Sequence, residues 1–237
     1  MVFFWRAFLV MALGAALGTT ARADDTVPTP YDPIESVNRA TFAFNDVIDT
    51  VIVNPLVSIW NAVLPAPVRQ SVANVFDNLD DLYSGVNHAL QGRGGQAGTD
   101  LGRVVVNSTI GIGGLFDVGT KMGLKKSYGD FGQTLGVWGF STGPYVVLPL
   151  LGPSTVRETA GRAVRVTTDA RNLLPTNTYY ALVGTEYVAT RADAKANESL
   201  IASSSLDRYV FVRNLYWQRR FNLVQEGRNA KAESNQP

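Results

Sequence analysis

The stretch DPIESVNRATFAFNDVIDTV, residues 32–51, decides the fold class of this chain. Asp32 can cap a helix, Pro33 suits the first helical position, and Glu35 can complete a capping box. Mostly apolar residues then recur at steps of three and four, with Phe42 widening the stripe: Ile34, Val37, Thr41, Phe44, Ile48 and Val51. This spacing predicts an amphipathic helix, which Asn54-Pro55 ends or restarts.

Helical spacing continues along most of the chain. Further helices are predicted from Pro55 to Leu64, from Pro67 to Gly92 with a break near Phe76, from the turn at Gly92–Gly95 through Val104 to Ile110, from Thr155 to Val166, from Tyr179 to Ala202 and from Leu206 to Glu226. Gly227 is a plausible stop for the last helix. No six-residue window shows a convincing alternation of apolar and polar residues, so no strand is predicted. The expected fold is mainly α, in one domain of roughly 200 residues.

The N-terminus has the pattern of a secretory signal peptide. A single positive charge at Arg6 precedes an apolar run from Ala7 to Gly18, and Ala21-Arg22-Ala23 is a small-x-small cleavage signal. The alternative is an N-terminal anchor helix. We therefore expect a signal peptide over residues 1–23, a helical domain over 24–227 and a disordered polar tail over 228–237.

Composition removes several classes of function. The net charge of +1 favours neither nucleic acid nor an acidic substrate, and the absence of cysteine excludes disulfides, Cys-based zinc sites, a thiol nucleophile and an acylated cysteine. Charged residues make up 17%, below the roughly 25% of an average soluble domain. Low charge with ordinary hydrophobicity is typical of a protein that presents apolar surface to a partner.

The sequence contains no complete catalytic or metal-binding motif. His88 is the only histidine, it lies in a predicted helix, and no nucleophile elbow accompanies it. Asp130-Phe131-Gly132 spells a kinase motif without the other kinase elements. Asp77, Asp80 and Asp81 have helical spacing rather than that of a calcium loop. We expect no enzyme activity, no cofactor and no metal, and a hydrolase stays only as a weak third hypothesis.

The last predicted helix combines arginines with aromatic residues. Its arginines are Arg208, Arg213, Arg219, Arg220 and Arg228, interleaved with Tyr209, Phe211, Tyr216, Trp217 and Phe221. The aromatic rings could pack on the protein core. They could equally lie at a membrane surface or on an acidic partner, where rings are half buried and guanidinium groups stay hydrated.

Five ordered motifs occur along the chain: DPIESVNRATFAFN at 32–45, NLDDLYSGVNHALQG at 78–92, RVVVNSTIGIGGLFDV at 103–118, GQTLGVWG at 132–139 and GPYVVLPLLGPS at 143–154. Together they resemble the MlaA (VacJ) family of outer-membrane proteins. The resemblance implies a ring-like bundle of amphipathic helices in the inner leaflet of the outer membrane, with a central amphipathic channel. It also implies removal of mislocalised phospholipid from the outer leaflet, transfer to a periplasmic MlaC-like carrier, and association with trimeric porins. The alternative is a porin-associated envelope scaffold or binding protein that passes no lipid.

The resemblance also implies which residues contact lipid. The expected lipid path contains Phe42, Phe44, Asn45, Gly132, Gly136, Trp138, Gly139, Gly143, Pro144, Tyr145 and Leu148. The expected channel-adjacent loop, 111–126, contains Gly113, Gly114, Phe116 and Lys121. The uncharged stretch 131–154 suits a channel wall, because its glycines permit close approach and its prolines prevent one long helix. The alternative is a buried core connection.

One departure from the family concerns anchoring. Many members carry a cysteine just after the signal sequence, whereas this chain has an A-x-A-type site and no cysteine. We therefore expect secretion across the inner membrane and residence at the outer membrane without cysteine lipidation, held by helix packing, porin contact or both.

Overall fold

The structure is a computed structural model that describes residues 28–202 and 207–234. The predicted signal peptide lies outside the described residues. The elements are α1 (Glu35–Ile48), α2 (Asn54–Val63), α3 (Ala66–Leu90), α4 (Gly94–Thr109), α5 (Val118–Lys121), α6 (Phe131–Val137), β1 (Tyr145–Leu148), β2 (Gly152–Thr155), α7 (Val156–Thr168), α8 (Thr176–Ala202) and α9 (Arg208–Ser234), with a 3₁₀ turn at Ala170–Leu173. The prediction of a mainly α protein is confirmed.

A two-stranded hairpin corrects the expectation that the chain contains no strand. β1 and β2 pair antiparallel, with Tyr145 opposite Thr155 and Leu148 opposite Gly152. Each strand has only four residues, and β2 reads Gly-Pro-Ser-Thr. A strand of four residues is too short to show an alternation of apolar and polar residues. It is recognised by its pairing with the partner strand and not by its own sequence pattern.

Asn54-Pro55 restarts the helix, which is one of the two outcomes that the sequence predicts. A π-helical turn, Asp49–Val53, joins α1 to α2, and the Asn54 amide donates to the carbonyl oxygen of Asp49, five residues earlier. The wider turn accommodates a proline that lacks an N–H group. The helical stretch Glu35–Val63 is, within the described residues, the one long and apolar enough to cross a membrane, and 11% of its most apolar window is buried.

Two other helices are longer than predicted. α3 continues without a break from Ala66 to Leu90. α9 passes through Gly227 and ends at Ser234, so the expected end at Gly227 is corrected. Gly227 is buried, and Arg228 donates from Nε and Nη2 to the carbonyl oxygen of Gly136 over 3.2 and 2.8 Å. These tertiary contacts outweigh the low helix propensity of glycine.

The described residues form two compact units. The first contains residues 28–47, 130–172 and 207–234; in it, α6 packs against α7 and α9, and the hairpin packs against the same two helices. Tyr145, Val147, Tyr209 and Trp217 form its core. The second contains residues 48–129 and 173–202; in it, α3 and α4 form an antiparallel pair, and α8 packs against α2 and α3.

Candidate functional site

In the first unit, a side chain of α1 bonds the edge of β1. Asn38 Nδ2 donates to the carbonyl oxygen of Tyr145 over 3.0 Å, and Asn38 Oδ1 accepts from the Val147 amide over 2.8 Å. The carboxamide therefore replaces the peptide group of a third strand. Asn38 is 2% exposed, so these bonds lie in a buried environment where an unpaired backbone group would be costly.

Asn45 repeats this arrangement at the end of the hairpin. Its Nδ2 donates to the carbonyl oxygen of Leu148 over 3.0 Å, and its Oδ1 accepts from the Leu150 amide over 2.8 Å. Sequence reasoning included Asn45 and missed Asn38. The signal was available, because the two asparagines stand seven residues apart, two helical turns, and therefore share one face of α1.

Aromatic rings join the hairpin to α1 and α9. The Phe42 and Tyr209 rings meet edge to face, with centroids 5.7 Å apart, and Tyr145 contacts Tyr209 in the same way at 6.2 Å. The Tyr209 hydroxyl donates to Asp32 Oδ2 over 2.5 Å. Burial and the Asp32 carboxylate both raise the pKa of Tyr209, so its hydroxyl stays a donor. For Tyr209 the interpretation as a core residue is the correct one.

Three glycines allow α6 to lie close to its neighbours. A Cβ on Gly132 would lie 2.0 Å from Glu158 Oε2, and one on Gly161 would lie 2.4 Å from the Gly132 nitrogen. A Cβ on Gly136 would lie 2.7 Å from a Val224 methyl group. Gly132 and Gly136 are thus in contact with α7 and α9, and close packing accounts for both.

The kinase-like triplet starts α6, where Asp130 is the N-cap. Asp130 caps the helix by accepting from the Gln133 amide over 2.9 Å, and Arg220 donates to both Asp130 oxygens over 2.6 and 2.9 Å. Arg220 also pairs with Glu158. Burial opposes ionisation of Asp130, but the Arg220 charge and these hydrogen bonds outweigh it and lower the pKa of Asp130 to about 2.

The predicted lipid-path residues fall into three classes of exposure. Tyr145, Gly132 and Gly136 are buried, whereas Phe44 is 50% and Trp138 46% exposed. Intermediate exposure is found for Phe42, Asn45, Gly139, Gly143, Pro144 and Leu148. The structure therefore brings the whole set into one unit but makes only part of it available to a ligand.

In the second unit, the α3–α4 pair has its polar residues inside and its apolar residues outside. The buried residues are mainly polar or charged: Asn78, Asp81, Ser84, Asn87, His88, Asp100, Arg103 and Asn107. Six large apolar residues of the pair are each at least 40% exposed: Leu79, Leu82, Val86, Leu90, Leu101 and Val105. This is the reverse of a helix pair in water, where the apolar faces meet.

Buried ion pairs and hydrogen bonds connect the polar residues of that interface. Arg103 Nε donates to Asp81 Oδ2 over 2.9 Å, with both side chains at most 1% exposed. Arg103 also donates to the Thr120 hydroxyl and to the carbonyl oxygen of Leu124. Burial raises the pKa of Asp81 despite the neighbouring guanidinium, which shows how far the pair is removed from water.

His88 does not have the geometry of a catalytic histidine. Its Nδ1 lies 2.6 Å from Asp100 Oδ2, and the Ser127 hydroxyl donates to the other oxygen of the same carboxylate over 2.6 Å. A nucleophilic serine would bond the imidazole instead. The His88 side chain is 1% exposed, so the arrangement is that of a satisfied buried histidine.

The loop after α4 combines one anchored side with an exposed apolar side. Gly114, at φ +89°, lies against Asn78, where a Cβ would come within 3.1 Å. Gly113, Phe116 and Lys121 are exposed, Phe116 at 50%. The loop is ordered by Asn107, whose Oδ1 accepts from the Gly119 amide over 2.8 Å.

A comparison with protein families decides the classification. The family model described as MlaA lipoprotein matches residues 30–222. The chain belongs to the MlaA family. The resemblance drawn from five sequence motifs is thereby confirmed, and the match includes the hairpin, the α3–α4 pair and most of α9.

MlaA proteins of known sequence are similar along nearly the whole chain. The Escherichia coli K12 protein named Intermembrane phospholipid transport system lipoprotein MlaA is 33% identical over 232 residues, covering 93% of this chain and 90% of the relative. The Haemophilus influenzae protein of the same name is 30% identical over 245 residues, covering 97% and 95%. An uncharacterized Rickettsia typhi protein is 34% identical over 209 residues, covering 85% and 81%.

The fold also matches a solved structure. That structure carries the description "Structural basis for maintenance of bacterial outer membrane lipid asymmetry". It superposes on this chain with a TM-score of 0.72 at 31% sequence identity. The match covers 81% of this chain and 98% of the other. The mainly α architecture is therefore that of a solved MlaA-family fold.

Proposed function

We propose that this MlaA-family protein removes mislocalised phospholipid from the outer leaflet of the Gram-negative outer membrane and passes it towards the periplasm. Its acceptor would be a soluble MlaC-like carrier, and its membrane partner a trimeric porin. The support is the name of its E. coli relative, which states a role in intermembrane phospholipid transport, together with alignment over nearly the whole of both chains. No covalent step is needed, because lipid moves by partitioning between the membrane, the protein and the carrier.

The observation that carries this proposal is the inverted α3–α4 pair. Exposed Leu82 and Val86 would be unfavourable in water, whereas hydrocarbon would cover them at no cost. Buried Asp81 and Arg103 form an ion pair within the protein, as charged groups surrounded by lipid usually do. The second unit therefore has the surface of a protein immersed in the apolar part of a leaflet.

Residence in the membrane would also explain how a family member without cysteine is retained there. The helical stretch Glu35–Val63 exposes Phe44, Val47, Val51 and Ile59, each at least half exposed. Burying a few such side chains in hydrocarbon is worth about 1.5–3 kcal/mol each. Helix packing in the leaflet would thus replace the acyl chain of lipidated members, with porin contact as a second anchor.

Trp138 is the residue of the predicted lipid path that best tests transfer. It is 46% exposed at the end of α6, so a substitution there leaves the core intact. We expect Trp138→Glu to slow transfer of phospholipid from protein-containing vesicles to a purified periplasmic carrier. The expected reduction is about tenfold or more, since a charged side chain in an apolar path costs about 2.5–3.5 kcal/mol.

The matched control is Leu215→Glu, which adds the same charge at a residue of α9 that is 47% exposed. Leu215→Glu should retain transfer, and both variants should retain porin association in co-purification. Failure of the unmodified protein to donate phospholipid to the carrier would contradict the transport proposal. Retained porin association in that case would favour the scaffold alternative.

A further inference from the structure

The turn of the hairpin exposes two leucines on a strained backbone. Leu150 is 53% and Leu151 61% exposed, at the tip between β1 and β2. Leu150 has φ +64°, in the left-handed region that glycine or asparagine normally occupies. A leucine that is both strained and exposed contributes little to folding, so its side chain is better explained by what it contacts outside the chain.

Side chains satisfy the backbone polar groups around this turn. Asn45 donates to the carbonyl oxygen of Leu148 and accepts from the Leu150 amide. Arg162 donates from Nη1 to the carbonyl oxygen of Leu151 over 3.1 Å and from Nη2 to that of Pro153 over 3.0 Å. At a turn exposed to water, solvent would donate and accept these hydrogen bonds. Internal partners become necessary where backbone enters a medium that offers no hydrogen bonds.

We infer that the turn Pro149–Leu151 inserts into the acyl layer of a phospholipid membrane. Leu150 and Leu151 would lie in hydrocarbon, and the Arg162 guanidinium would lie at the base of the turn, at the depth of the lipid phosphates. The inference rests on the proposed function only in taking a phospholipid membrane as the surrounding medium.

The composition of the turn favours lipid over a protein partner. Pro149, Leu150 and Leu151 carry no polar side-chain atom, and the neighbouring backbone groups named above already have partners. A protein partner recognises an edge or a turn through such groups, by added hydrogen bonds of defined direction. Hydrocarbon needs only apolar area, which two exposed leucines supply.

The absence of native cysteine permits a direct measurement. Leu150→Cys would be the only thiol in the chain, and an environment-sensitive fluorophore on it would report its surroundings. We expect blue-shifted, brighter emission when the full chain is added to vesicles of phosphatidylethanolamine and phosphatidylglycerol, with quenching by lipids brominated in the acyl chain. Leu215→Cys, at similar exposure in the same unit, should show neither change.

A second variant tests the contribution of the Leu150 side chain to membrane binding separately from its contribution to folding. Leu150→Gly removes the exposed side chain and suits the positive φ, so we expect an unchanged or higher Tm in detergent. Vesicle affinity should fall about tenfold, because one leucine side chain no longer enters hydrocarbon. An unchanged vesicle affinity of Leu150→Gly would overturn the inference.

The outcomes distinguish this inference from the proposed function. If the full chain co-sediments with vesicles and donates lipid, but the label at residue 150 remains in an aqueous environment, the inference fails alone. If the label is quenched at acyl depth but no lipid reaches the carrier, the inference stands and the transport proposal fails. If the unmodified chain does not bind vesicles, both fail.

Discussion

At the scale of single residues, the first unit depends on ion pairs. The sequence contains the charged residues of these pairs, but it does not show which residue pairs with which. Asp130 follows a loop and precedes a short helix, which makes it a recognisable cap. Its partner Arg220 lies 90 residues later on α9. The pair connects α6 to α9, and the low pKa of Asp130 is the measurable consequence of that contact.

We expect Asp130→Asn to destabilise the protein in a pH-dependent manner. The folded-state pKa of about 2 lies below the ordinary value of 3.8, so the carboxylate stabilises the fold above pH 3.8 and loses this contribution as the pH falls towards 2. The difference in unfolding free energy between the native chain and the variant should therefore be largest near neutral pH and shrink below pH 4. Denaturant unfolding in detergent across this range measures it. A difference that does not vary with pH would contradict the assignment.

At the scale of elements, the α3–α4 pair shows why an apolar stripe does not identify a buried face. Leu79, Leu82, Val86 and Leu90 recur as they would on a helix packed against a core, yet all four are exposed. The opposite face carries the residues that meet α4. Because several of those residues are charged, the stability of the pair depends on their being matched.

We expect the buried pair Asp81 and Arg103 to be strongly coupled. Arg103→Leu leaves Asp81 buried without its guanidinium, and Asp81→Leu leaves Arg103 with only the partly exposed Asp117 as a carboxylate partner. Each single variant should cost about 3–5 kcal/mol of unfolding free energy. The double variant should cost clearly less than the sum of the two single variants. A double-mutant cycle in detergent solution measures the coupling. Simple additivity would show that the two side chains do not pair in the folded protein.

At the scale of the whole molecule, exposed apolar side chains occur in both units. The described residues expose Phe44 and Trp138 in the first unit and Val86 and Val105 in the second, each at least 46%. A water-soluble protein rarely presents so many large apolar side chains on long helices. Membrane affinity is accordingly expected to come from many side chains acting together.

We expect Val105→Glu to weaken vesicle binding without unfolding the protein. Val105 is 61% exposed on α4, so the substitution meets no core residue, but hydrocarbon would surround the new charge. The vesicle partition coefficient should fall about tenfold or more, given about 2.5–3.5 kcal/mol for a charge in the bilayer centre. Co-sedimentation with vesicles measures this, and Tm in detergent should not change.

The control for Val105→Glu adds the same charge to an exposed polar position, Asn214 on α9. Asn214→Glu should bind vesicles like the unmodified chain. Equal loss in the two variants would indicate a general charge effect rather than immersion of α4.

The sequence by itself determined most of the helices and the family, whereas the short helices α5 and α6 were not predicted. Steps of three and four residues identify α1, and the helix predicted to begin at Thr155 is present, with Thr155 accepting from the Glu158 amide as its cap. Asn45 was singled out only through the family motif. Local signals of this kind can be read from the sequence because helix periodicity and capping depend on residues a few positions apart.

Only the tertiary structure decided which faces are buried and which residues pair. Periodicity shows that a helix has two faces, but burial depends on its partner and on the surrounding medium, so the outward apolar face of α3 was not predictable. The hairpin, the continuation of α9 past Gly227 and the bonding of Asn38 to β1 all depend on contacts between distant segments. Such contacts have no local signature, because their free energy arises between residues that the chain brings together only on folding.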